Sequence, residues 1–125
     1  MARSSGGLVT KTMTKRESRF ACVMDAIEPS ARGPHLENAR ALFALVTEVK
    51  ELPNGYSFRL PVDSFLELAR FVELERVCCP FFGFVIEVEK EGGEVVLHLT
   101  GRDGVKDFIK AEVGEIVGGS SLFTK

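Results

Sequence analysis

Pro53-Asn54-Gly55 followed by Tyr56-Ser57-Phe58-Arg59-Leu60 constrains this chain more than any other stretch. Asn-Gly is hairpin punctuation, and Tyr56, Phe58 and Leu60 alternate with Ser57 and Arg59 at the period of a strand with one buried face. A hairpin needs a second arm, so Val46 to Leu52 is assigned as the strand before the turn, although this β-branched run also suits a continuing helix. The same logic repeats downstream. Phe84, Ile86 and Val88 alternate with Glu87 and Glu89, Gly92-Gly93 supplies a turn, and Val95, Leu97 and Leu99 alternate with Val96, His98 and Thr100.

Each hairpin precedes a helical pattern. After the first, Ser64 and Glu67 form a capping-box pattern, and Phe65, Leu68, Ala69 and Val72 make an apolar stripe that runs up to Cys78. Pro80 disfavours helical geometry at Cys79, so the helix should end there. After the second, Gly101-Arg102-Asp103-Gly104 opens a helix with Val105, Phe108, Ile109 and Val113 on one side. That opening lacks the spacing of a phosphate loop, and a helix cap accounts for it better than an anion site. Residues 56–72 and 95–112 thus share a weak pattern of strand followed by helix.

Upstream, Phe20 to Ile27 is short, apolar and bounded by polar residues, which suits a buried strand. Pro34 then fits the first turn of a helix, where its missing N–H has no intrahelical partner, and Leu36, Ala39, Phe43 and Val46 form its apolar face. Strand faces and helix stripes must cover one another. The expected fold is α+β, a mostly antiparallel sheet with helices on one face, in the order β-α-β-β-α-β-β-α over residues 20–117. Residues 1–19, with five basic residues and one acid, read as a flexible arm, and residues 118–125 read as a flexible tail.

Length and charge narrow the function classes. A chain of 125 residues suits a single domain with its own core. Its net charge of -2 provides no general field for phosphate backbones or anionic membranes, so neither nucleic acid nor a membrane is expected as a partner. No apolar run is long enough to span a bilayer, and a cytoplasmic protein is expected. A homodimer is left open.

Chemistry-bearing residues concentrate in Glu75-Arg76-Val77-Cys78-Cys79-Pro80-Phe81-Phe82. A disulfide between neighbours is disfavoured, because adjacent Cα atoms sit about 3.8 Å apart, short of the roughly 4.4–6.8 Å that disulfides span. The expected form is a free dithiol. At a helix C-terminus, with Glu75 on the same side, thiolate formation is opposed, so an activated nucleophile is disfavoured. A soft ion can still displace the thiol protons. Mercury, copper(I), zinc or arsenite therefore fit, with Cys78 and Cys79 as ligands and Cys22 as a third if its segment passes beside the helix end.

Three other readings compete. Cysteines often only fill a core, which would make Cys-Cys-Pro-Phe a packed turn in a non-enzymatic interaction or dimerisation module. Thiol oxidoreductase chemistry is a further alternative. Glu75 and Arg76 also suit a plain solvated helix end, and His35 and His98 suit ordinary surface histidines. No catalytic residue is assigned.

Glu75-Arg76-Val77-Cys78-Cys79-Pro80-Phe81, with Gly55-Tyr56-Ser57-Phe58-Arg59-Leu60-Pro61 upstream and Leu97-His98-Leu99-Thr100-Gly101 downstream, resembles a group of small uncharacterised bacterial proteins built around a Glu-Arg-x-Cys-Cys-Pro-Phe motif. The resemblance covers residues 20–113. It implies that the motif is a family feature, and it implies no activity.

Overall fold

A computed structural model describes residues 20–118 and 121–123. The chain is α+β. Helix α1 spans Pro29–Ala44, strands β1 (Glu48–Leu52) and β2 (Gly55–Leu60) form the first hairpin, and α2 spans Phe65–Cys78. Strands β3 (Gly83–Val88) and β4 (Val95–Thr100) form the second hairpin, and α3 spans Val105–Val117.

The two hairpins join through their inner arms. The sheet order is β1-β2-β4-β3 and every pairing is antiparallel, with Phe58 opposite both Val49 and Leu97, and Leu97 opposite Ile86. Side chains alternate across a sheet, so this register sorts them into two faces. Tyr56, Phe58, Leu60, Val95, Leu97 and Leu99 enter one core with Leu42, Phe43, Leu68, Phe71, Ile109 and Val113 from the three helices. The other face carries Arg59, which pairs with Glu48 at 3.4 Å, Glu89 at 2.7 Å and Glu94 at 3.6 Å. The helices therefore cover one face only.

Gly55 sits where β2 meets β4 most tightly. A Cβ there would lie 1.9 Å from the Leu99 carbonyl oxygen. The glycine of Pro-Asn-Gly is thus needed for close backbone approach rather than for a left-handed turn geometry.

Several expectations are corrected. The apolar run from Phe20 to Ile27 is not a strand; it is irregular, with one 3-10 turn over Met24–Ala26, so the sheet has four strands rather than five. Its hydrophobicity serves packing: Ile27 is fully buried, while Phe20 packs edge-on against Phe81 and at a tilt against Phe108. Helix α1 begins at Pro29, so Pro34 lies inside it and removes one intrahelical bond instead of starting the helix. The buried face of α1 is His35, Ala39, Leu42 and Phe43, with Leu36 39% exposed. The Ser64 hydroxyl donates to the Pro61 carbonyl at 2.6 Å and makes no capping bond to α2.

The arm at residues 1–19 and residues 119, 120, 124 and 125 of the tail lie outside the described residues. Within the tail, Ser121–Phe123 form a short 3-10 turn. Phe123 packs edge-on against Tyr56 and Phe58. Among the described residues, no helix is long and apolar enough to cross a membrane.

Candidate metal centre

Helix α2 delivers the two adjacent cysteines to the core. Its buried stripe is Leu68, Phe71, Glu75 and Cys78, spaced at three and four residues, so Glu75 and Cys78 sit one above the other on the inner face. Pro80 ends the helix as expected: Cys79 leaves helical geometry at φ -127° and ψ 74° while its N–H still donates to the Glu75 carbonyl at 2.7 Å. That kink turns both sulfurs the same way, 3.7 Å apart.

The segment ahead of α1 brings the third sulfur. The Val23 N–H donates to the Cys78 carbonyl at 2.8 Å, one of the carbonyls a helix end leaves free. This bond fixes Cys22 beside Cys79, with which it forms a disulfide across a Cα separation of 4.7 Å, inside the ordinary range. Cys78 is the free thiol, buried beside the Met24 sulfur at 3.8 Å. The sulfurs of Cys22, Cys78 and Cys79 all lie within 4.8 Å of one another.

Two carboxyl groups border the sulfurs. Glu75 Oε2 lies 3.2 Å from Cys79 Sγ, and Glu112 Oε2, from α3, lies 3.6 Å from Cys22 Sγ. While the disulfide is closed these sulfurs carry no proton. Once it is reduced each thiol can donate to its carboxylate. Cys22, Glu75 and Glu112 form a second group within 4.8 Å, of mixed sulfur and oxygen donors.

The electrostatics follow from this crowding. Burial, then Glu75 and Glu112, push the Cys78 thiol up to about 11. Glu112 is itself held above the usual carboxylate range, first by burial and then by Glu75 and Glu115. Glu75 is anchored on its other side by His35, whose Nε2 is 2.9 Å from Glu75 Oε1, with both side chains almost fully buried. The His35 ring stacks on Phe71 and its Nδ1 has no partner. If Nε2 donates to the carboxylate, Nδ1 is a bare buried acceptor.

The structure thus brings together all three cysteines named from the sequence as candidate ligands. Two expectations, one about the cysteines and one about their neighbours, are overturned. The cysteines do not rest as three free thiols, because residues distant in sequence pair as Cys22–Cys79 while Cys78 and Cys79 stay unbonded to each other. Nor are Glu75 and His35 surface groups; each is less than 10% exposed. Arg76, one residue on, does point to solvent, and His98 sits on the uncovered sheet face with Glu87 at 3.1 Å. Sequence reasoning missed His35, Glu112 and Met24 as neighbours of the site. The first had a signal: continuing the Leu68-Phe71 stripe places Glu75 inside, and a buried carboxylate requires a partner.

No family model, curated protein or solved structure matches this chain.

Proposed function

We propose that this protein binds a soft metal or metalloid ion through the sulfurs of Cys22, Cys78 and Cys79 in its reduced state. The observation that carries this reading is the convergence of all three sulfurs within 4.8 Å from two segments far apart in sequence. The Cys22–Cys79 disulfide by itself requires two of these sulfurs to meet; a staple does not require the third, and Cys78 joins them as a free buried thiol. Soft thiolate ligands select ions such as mercury, copper(I), zinc or arsenite.

The surroundings support ion ligation over nucleophilic chemistry. A buried thiol pushed to about 11 offers little thiolate at neutral pH. A bound ion displaces the proton directly, and bordering carboxyl groups favour a cation. In this reading the Cys22–Cys79 disulfide is the closed, unloaded form, and a reducing compartment such as the cytoplasm opens it.

A thiol-exchange reading has one observation in its favour: Cys78 Sγ stands 3.7 Å from a sulfur already in a disulfide. Attack there would release Cys22 and leave a bond between neighbouring residues, which the short Cα separation makes unstable. It ranks second. Titrating the reduced chain with mercury, copper(I), zinc and arsenite while following sulfur-to-metal absorbance tests the first reading. Saturable binding absent from the triple Cys→Ser variant is expected; equal behaviour of the two chains contradicts it.

A further inference from the structure

The donor set is unusual in where it stops. Among the described residues, no fourth cysteine sulfur, histidine nitrogen or carboxylate oxygen lies within 4.8 Å of all three sulfurs; the Met24 thioether, 3.8 Å from Cys78, is a weak neutral donor, and the other group of donors shares only Cys22 with them. A structural zinc site closes with four ligands arranged tetrahedrally. A trivalent metalloid such as arsenic(III) or antimony(III) instead takes three ligands in a pyramid, because a lone pair occupies the fourth direction. Three converging cysteine sulfurs, with no fourth cysteine, histidine or carboxylate ligand grouped with them, suit the base of that pyramid.

Charge points the same way. Three thiolates on a divalent ion leave a net charge of minus one, whereas three on a trivalent centre leave none. The sulfurs sit in an environment poorly suited to an extra negative charge. Cys78 and Cys79 are buried, they lie at the C-terminus of α2 where the helix dipole is negative, and Glu75 and Glu112 border them. An uncompensated buried charge is costly. A neutral complex beside the Met24 thioether is not.

We propose that the ligand is a trivalent metalloid, taken up as the neutral hydroxide and held as a pyramidal tris-thiolate by Cys22, Cys78 and Cys79. This rests on the soft-ion reading and narrows it. Uptake needs the Cys22–Cys79 bond opened first, with two electrons and two protons supplied by a small thiol or a phosphine. Arsenous acid then exchanges each As–OH for an As–S bond. Each thiol proton leaves with a hydroxide as water, and no atom changes oxidation state.

The test uses the full chain, reduced with a phosphine and desalted without oxygen. Free thiols are counted with an aromatic disulfide reagent after adding one equivalent of arsenite, cadmium or both. The expected result is that arsenite masks all three thiols and that equimolar cadmium does not release it. Cys22→Ser should weaken arsenite binding by more than the roughly 10–100-fold that disturbing an outer-shell partner costs. Circular dichroism verifies that the variant is folded, and the thiol count on the unmodified chain stands without it. If cadmium masks all three thiols and displaces arsenite, the metalloid inference is overturned while the soft-ion reading survives. If arsenite masks only two thiols, the three-sulfur pyramid is overturned. If neither ion masks any thiol, the metalloid inference falls, and the soft-ion reading then stands or falls on the titration with mercury, copper(I) and zinc.

Discussion

At the scale of the residue, the site depends on a buried acid whose partner lies 40 positions away in the chain, His35 on Glu75. Removing one member of a buried pair strands the other, which typically costs about 3–5 kcal/mol. His35→Ala should lower unfolding free energy by that amount in urea titrations, while the double change His35→Phe with Glu75→Leu should recover most of it. A loss below about 1 kcal/mol in the single variant would mean that the pair behaves as an exposed one. Cys78 supplies a second prediction. Its thiol rises from the ordinary 9.0 to about 11 because of burial, then Glu75 and Glu112. The oxidised protein should therefore react with iodoacetamide at neutral pH roughly a hundredfold more slowly than an unperturbed thiol. The sign for stability follows: between pH 9 and about 11 the unfolded chain has lost a proton that the folded chain keeps, so stability falls as pH rises through that window. An alkylation rate matching a free model thiol would contradict the buried placement.

At the scale of the element, the decisive piece is the irregular segment from Phe20 to Ile27, held by the Val23–Cys78 backbone bond and the Cys22–Cys79 disulfide. Closing a loop over a sequence separation of 57 is worth about 4 kcal/mol in the chain-entropy account. Reduction, or Cys22→Ser, should therefore reduce stability by up to that amount, and amide exchange at Val23 should accelerate before exchange in β2 or β4. A uniform acceleration across the sheet would show instead that the segment is part of one cooperative unit. The hairpins and the end of α2 were legible because Pro53-Asn54-Gly55, strict alternation and Pro80 are local signals. The opening segment was misread because a short apolar run reads alike as a strand and as a packed irregular stretch; tertiary contacts decide between them. The inner faces of α1 and α2 were only partly legible for a related reason: Ala39, Phe43 and Leu68 lie inside as expected, but His35 and Glu75 are polar, so apolar periodicity passes over the positions they occupy.

At the scale of the whole molecule, the sheet explains why the site lies where it does. Two hairpins meet through β2 and β4, leaving one face for all three helices. The end of α2, the body of α3 and the segment before α1 then converge, bringing Cys79, Glu112 and Cys22 into contact range. The sequence names the three cysteines as candidates but holds no information on their separation, because Cys22 and Cys79 meet only through this assembly. X-ray absorption at the edge of the ion that the reduced chain binds most tightly reads out the ligand set itself. Three sulfur scatterers in the unmodified chain, falling to two in Cys22→Ser, are expected. A first shell of oxygen or nitrogen, or a spectrum unchanged by Cys22→Ser, would contradict a site built by all three cysteines.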